Sequence, residues 1–274
     1  MSGTIFMETL RRNWRTAVYW GVGIASYAVL IILLIPNVDV LKSYADLVSK
    51  MPAGMLKMFG ASDASSIASP EGFLGFGFFS YTVLMLAVYA VVGGLGITAN
   101  EEDQGILDVV LSLPVPRWRI IVERLAAYTL FVIVIVVLCF VGLWLGVQFT
   151  ASNPDAPFKI DVAKLLQGSF NLLPGTLLML VFTAFIAAVV RRKGVATGIV
   201  SLVIIASYLL NFLGGSAKDT LAGQLSRFSL FSYIDSANVM KNGLAWGNIL
   251  LLLVLTAVLW IGSVWFFQRR DVGV

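Results

Sequence analysis

Glu101, Glu102 and Asp103 form a dense run of carboxylates in this 274-residue chain, and Asp108 follows shortly after. Adjacent carboxylates are raw material for general acid–base work or for holding a metal. A zinc peptidase needs His-Glu-x-x-His, and the sequence has no histidine at all. That absence removes His-ligated metals, Ser-His and Cys-His pairs and His proton relays together. The one cysteine, Cys139, lies in an apolar run; it reads as a buried small hydrophobe, and disulfide frameworks or thiolate clusters are excluded. No base stands beside a candidate serine, and no Gly-x-x-x-x-Gly-Lys-Ser/Thr cradle for nucleotide phosphates occurs. The acids read more simply as the first turn of a helix capped by Asn100, where the macrodipole favours negative charge. Catalysis by this chain is therefore not expected, nor is a metal or cofactor bound to it.

The elements that position these residues follow from composition. Hydrophobic residues make up 59% of the chain and charged residues 12%, against about 25% charged in soluble domains. Six stretches, 17–35, 73–98, 125–149, 170–190, 195–213 and 244–267, lack Asp, Glu, Lys and Arg. Each approaches or exceeds the roughly 20 residues a helix needs to cross hydrocarbon. None alternates with period 2, so helices are predicted rather than barrel strands. The fold expected is an all-α integral membrane protein, one domain over 1–274. The second run is the longest, which predicts tilt or an end projecting beyond the bilayer.

An even number of spans puts both termini on one side. Arg191, Arg192 and Lys193 in a tight turn, and Arg269 and Arg270 directly after the last span, assign that side to the cytosol. The formal charge of +4 thus speaks to topology and not to nucleic acid. Residues 1–16 place Ile5, Phe6, Leu10 and Trp14 on one helical face and Glu8, Arg11, Arg12 and Arg15 on the other, which predicts an interfacial elbow helix. The run after it is longer than a signal-peptide core and ends without a small-residue cleavage site, so a retained span is expected. On the outer side, 36–72 predicts two short amphipathic helices, the second around Met55, Leu56, Met58 and Phe59. The segment 214–243 carries Leu225, Phe228, Leu230, Phe231 and Tyr233, too apolar for a solvated loop, and predicts an outer re-entrant piece.

Between spans 2 and 3, residues 100–119 predict a cytosolic helix. Ile106, Leu107, Val110, Leu111 and Leu113 form its apolar stripe and Pro114 ends it. Its polar face is acidic, where a helix lying on anionic lipid carries Lys and Arg, so a protein surface is the expected partner.

Here the sequence resembles the permease subunits of ABC transporters of the ABC-2 export type. The family pattern E-x-x-x-G-[ST]-L-[DE]-x-x-L-x-x-P-[VI]-x-R is met by Glu101, Gly105, Leu107, Asp108, Leu111, Pro114, Val115 and Arg117, with Ile106 where Ser or Thr is usual. The ending Phe267 to Val272 is similar to the family's F-x-R-R-D-[IV], and 225–233 is similar to a stretch that usually reads Ser-Pro-Phe, with Leu230 in place of the proline. The resemblance implies an exporter half in the plasma membrane of a prokaryote, pairing with a second permease copy or a paralogue. It also implies separate ABC ATPase subunits that carry ATP and Mg. Glu101, Gly105, Leu107, Asp108, Leu111, Pro114 and Arg117 then form the surface that docks on the ATPase.

Polar groups within spans, Tyr81, Tyr89, Ser207, Tyr208 and Asn211, are candidates for lining a pathway, with hydrogen bonding between helices as the alternative for each. The charge-free spans fit an amphipathic or apolar cargo such as a lipid, drug or antibiotic peptide. An ion-coupled secondary transporter is the competing reading, but such proteins place ionisable residues inside spans and none stands there. Three glycine pairs, Gly142/Gly146, Gly194/Gly198 and Gly243/Gly247, could permit close helix approach, and Pro174 is expected to kink span 4.

Overall fold

A computed structural model describes residues 3–34, 38–50, 69–98, 116–151, 160–190, 192–216 and 221–269. Among these residues all regular structure is helical. Six helices are long and apolar enough to cross a membrane: Thr4–Leu33, Pro70–Ile97, Arg117–Ala151, Val162–Val189, Lys193–Gly214 and Trp246–Gln268, hereafter spans 1 to 6. Each overlaps one of the six charge-free runs. The bundle end carrying Gly3 and Arg269 is called the termini end, and the other the far end.

The first expectation to change concerns residues 1–16. Thr4–Leu33 is one helix, so the amphipathic start forms the first turns of span 1 and is not a separate elbow. The reason is local: between Asn13 and Trp20 no Gly or Pro interrupts a run of residues that tolerate helix. Glu8, Arg11, Arg12 and Arg15 are exposed, as the amphipathic reading requires, and the Arg15 guanidinium lies 5.6 Å from the Trp14 ring centroid. At 1.5 Å per residue, span 1 is about 45 Å long and span 3 about 52 Å, against a hydrocarbon core of about 30 Å. Both are overlong at the termini end, where their charges lie.

Span 2 accommodates its extra length differently. Ser69 caps its start by accepting from the Gly72 amide at 3.0 Å, with Pro70 in the first helical position. Gly75–Phe79, reading Gly-Phe-Gly-Phe-Phe, is then wound as a π-helical turn before the α-helix resumes at Ser80. Such turns displace backbone carbonyls from their usual donors. The Tyr27 hydroxyl on span 1 donates to the Gly77 carbonyl at 2.6 Å, and the Ser80 hydroxyl donates to that of Gly75 at 3.1 Å.

Packing is set by glycines at a few crossings. Spans 1 and 3 run parallel in close contact. A methyl group on Gly142 would stand 2.5 Å from the Ala25 Cα, one on Gly146 would stand 2.7 Å from Ile32, and one on Gly21 would strike Leu138. A methyl on Gly94 of span 2 would lie 2.5 Å from Thr183 of span 4. Span 4 is the most buried of the six, and its helix continues through Pro174. Cys139 is fully buried in span 3. By contrast, among the described residues nothing lies within 4 Å of a methyl added at Gly194, Gly198, Gly243 or Gly247. Among those residues, then, the Gly142/Gly146 pair makes a crossing and the other two pairs do not.

At the far end, helix Val38–Ser49 sets Tyr44 edge-on to Phe73 of span 2, with ring centroids 5.2 Å apart. Lys164 of span 4 pairs with Glu71 of span 2 at 3.0 Å. The segment after span 5 forms a short helix Leu221–Leu225, two 3-10 turns, Ser226–Phe228 and Leu230–Tyr233, and a helix Ser236–Asn242. It folds back onto spans 4 and 5: Asn171 donates to Ser236 at 3.2 Å, and Ile234 fills the space beside Gly175. The second short helix expected within 36–72, residues 99–115 and the closing residues Arg270 to Val272 lie outside the described residues.

Gly142→Ala tests the crossing of spans 1 and 3. Alanine is the better helix former by up to about 1 kcal/mol, so any loss comes from the contact with Ala25, where overpacking costs about 1–3 kcal/mol. The thermal midpoint of detergent-solubilised Gly142→Ala should fall by several degrees, and that of Gly247→Ala should not. Equal midpoints would argue against the packing.

Candidate functional site

Two places gather polar groups against the bundle. The first is the termini end, where the described chain leaves span 2 at Thr98 and re-enters span 3 at Pro116 and Arg117. The first turns of span 3 lie before the apolar run and carry Arg117, Arg119, Glu123 and Arg124. Arg119 Nε meets Glu123 Oε1 at 2.6 Å, one turn apart on the helix. The same carboxylate reaches the start of span 1. Its Oε1 accepts from the Gly3 amide at 3.2 Å, and its Oε2 accepts from the Ile5 and Phe6 amides at 3.0 Å each.

These amides are the ones an α-helix leaves unpaired at its start. The local chain does not cap them: Gly3 occupies the cap position with φ 91° and has no side chain. A carboxylate from 120 residues away supplies the acceptor, and its charge opposes the positive end of the helix dipole. The next residue does the reverse. Arg124 is buried, and its Nη1 donates to the Ile97 carbonyl at the end of span 2 at 2.8 Å. That carbonyl belongs to the negative end of a helix, where a cation is favoured. A hydrogen bond from a charged group is worth about 1.5–3 kcal/mol.

The second place lies at the far end around the π-helical turn. Tyr81, two residues beyond it, is exposed. It lies within electrostatic reach of the phenols of Tyr27 on span 1, Tyr44 on helix Val38–Ser49 and Tyr208 on span 5. Burial, and secondarily the Tyr81 phenol, push the pKa of Tyr44 above its ordinary value. Tyr27 stacks on Phe78 at 5.5 Å, Tyr208 stacks on Phe212 at 6.4 Å, and Phe76 meets Tyr81 at 6.5 Å. Phenols and phenyl rings from four elements thus share one region.

The sequence candidates fall into separate settings. Glu101, Gly105, Leu107, Asp108, Leu111 and Pro114 lie outside the described residues. Arg117 is the first residue of span 3 and half-buried. Tyr81 and Tyr208 lie within electrostatic reach of one another as above, and Asn211 is half-buried one turn beyond Ser207. Tyr89 is buried, edge-on to Trp20 at 5.9 Å. Ser207 is buried too. It accepts from the Leu230 amide at 2.8 Å, and its hydroxyl lies 3.1 Å from that of Ser229. Ser229 spends its own proton on the Ser207 carbonyl at 2.7 Å, which makes Ser207 the donor between the two hydroxyls. In this setting Ser207 fastens the segment after span 5 to the bundle.

Glu123 and Arg124 were open to sequence reasoning only as the last charges before an apolar run, a pattern that locates a membrane boundary and says nothing of distant helix ends. Among the described residues no cluster of three metal-ligating side chains occurs.

Ser207→Ala should strand the Leu230 amide and deprive Ser229 of a partner, at about 1–3 kcal/mol. Proteolysis or hydrogen exchange across residues 223–242 should quicken in Ser207→Ala and not in Asn211→Ala. Matching behaviour of the two variants would remove the fastening role.

Comparison with known proteins adds one positive finding. A family model described as multidrug efflux system permease Rv1217c, C-terminal domain, matches residues 7–268. No curated protein matches the chain. The match takes in nearly the whole of the six spans, including Glu123 and Arg124, and the carboxylate-rich connection between spans 2 and 3, so this chain is a multi-pass membrane transport subunit that belongs to the Rv1217c-type multidrug efflux permease family.

Proposed function

We propose that the chain is the permease subunit of an ATP-driven ABC exporter of the ABC-2 type, forming half of the transmembrane pathway. Energy enters from separate ATPase subunits that hold ATP and Mg, docked on residues 100–119. The observation that carries this reading is the sequence pattern from Glu101 to Arg117, between two span ends that are themselves braced. Arg124 joins the end of span 2 to span 3, and Glu123 joins span 3 to span 1, so the connection between residues 98 and 116 springs from an anchored platform.

In this reading the termini end faces the cytosol of a prokaryotic cell. Exposed Arg11, Arg12, Arg15, Arg192 and Arg269 support it. At the far end two of the cations sit beside acids, Lys42 by Asp39 and Lys164 by Glu71. A second permease, copy or paralogue, packs on surface that one chain leaves open. Span 5 is 22% buried, and Gly194 and Gly198 on it face empty space. The cargo is an apolar or amphipathic drug-like molecule, recognised around Tyr81, Tyr208 and their aromatic neighbours. The family match and the lack of ionisable residues inside the charge-free runs both support that class.

Affinity purification of the intact chain from its own cells should recover an ATPase with a P-loop. Gly105→Asp or Leu107→Asp should lower that recovery at least tenfold while leaving the amount of membrane-inserted permease unchanged. Failure to recover any ATPase, or full recovery with both variants, would defeat the proposal.

A further inference from the structure

Glu123 and Arg124 are consecutive, oppositely charged and bound to opposite kinds of helix end. Consecutive side chains on an α-helix point about 100° apart, so one helix can reach two neighbours from adjacent positions. Glu123 takes three amides at the start of span 1 and the Arg119 guanidinium; Arg124 takes the terminal carbonyl of span 2. Both side chains are largely withdrawn from solvent: Glu123 is 14% exposed and Arg124 6%.

The contacts continue beyond this base. Span 1 lies against span 3 through Gly21 with Leu138, Ala25 with Gly142, and Ile32 with Gly146. Between the last two, Tyr27 leaves span 1 and donates to Gly77 inside the π-helical turn of span 2. A continuous series of close contacts thus runs from Glu123 to the turn that precedes Tyr81.

We propose that Glu123 and Arg124 are positioning residues for export, locking the ends of spans 1, 2 and 3 into one rigid base, so that displacement of the chain between residues 98 and 116 is carried along the span 1 and span 3 pair to the Gly75–Phe79 turn. The inference rests on the exporter reading for the source of that displacement. The brace itself does not depend on it. Spans 1 and 3 move as one body, held to the end of span 2 by Arg124 and to its Gly75–Phe79 turn by the hydroxyl of Tyr27.

Hydrogen exchange on the full-length chain separates this role from simple capping. In detergent and without nucleotide, Glu123→Ala should raise exchange at residues 5–10 at least tenfold and should also raise it several-fold at residues 75–80, far along the chain. Glu123→Gln keeps the shape and an acceptor oxygen, and should restore most of the distant protection. A rise confined to the first turns of span 1 would overturn the proposal and leave Glu123 a local cap. Where Glu123→Ala does not fold, Glu123→Gln and Tyr27→Phe carry the test, the latter expected to raise exchange at 75–80 alone. In the complex with its ATPase, a non-hydrolysable ATP analogue should change exchange at 75–80 in the wild type and not in Glu123→Ala, with ATP hydrolysis retained. An unchanged nucleotide response in the variant would also overturn it. Absence of any ATPase would count against the exporter reading, while the nucleotide-free comparison would still decide the brace.

Discussion

Backbone amides and carbonyls within hydrocarbon have no water to bond, so each must be satisfied by its own helix or by a protein neighbour. Six spans without an ionisable residue in their apolar runs meet this rule along their lengths. They fall short where helical bonding stops or changes pitch, and at those places a specific side chain arrives. Glu123 covers the start of span 1, Arg124 the end of span 2, Tyr27 a carbonyl within the π-helical turn, and Ser207 the amide of Leu230. These bonds do more than complete a helix. Each joins two separate elements, and together they fix how the spans are tied.

The same economy shows in the apolar contacts. Where two backbones must approach, glycine stands at the crossing, as at Gly142 against Ala25 and Gly94 against Thr183. Where a glycine has no described neighbour within 4 Å of an added methyl, as at Gly198 and Gly247, it takes no part in such a crossing. Span 4 sits inside the bundle, while spans 1, 5 and 6 spend most of their surface on what surrounds it. A transport subunit needs both kinds of helix, one set to hold the shape and another to meet neighbours.

Much of this architecture is legible in the sequence because membrane spans are announced by a property of contiguous residues. The six charge-free runs locate the six helices. Local rules also explain what the sequence does not disclose. Residues 4–16 look like a separate surface helix because their periodicity is amphipathic, yet amphipathicity does not end a helix, and nothing else there does. The π-helical turn is invisible to a 3.6-residue period. Glu123 and Gly3 are 120 positions apart, and no spacing rule links them. The glycine pairs show the same limit from the other side, since three look alike in sequence and only the tertiary neighbour tells Gly142/Gly146 from the rest.

The π-helical turn of span 2 also bears on how this helix can move. It holds one residue more than an α-turn requires. Re-winding it as α-helix would pass that residue along the rod, rotating one segment by about 100° and advancing it by about 1.5 Å relative to the other. The helix can thus behave as a screw with one step of travel, turning Tyr81 about the span axis without unravelling backbone into lipid. The Tyr27 hydroxyl donates to Gly77 inside that turn, so a step of this kind would have to break that bond.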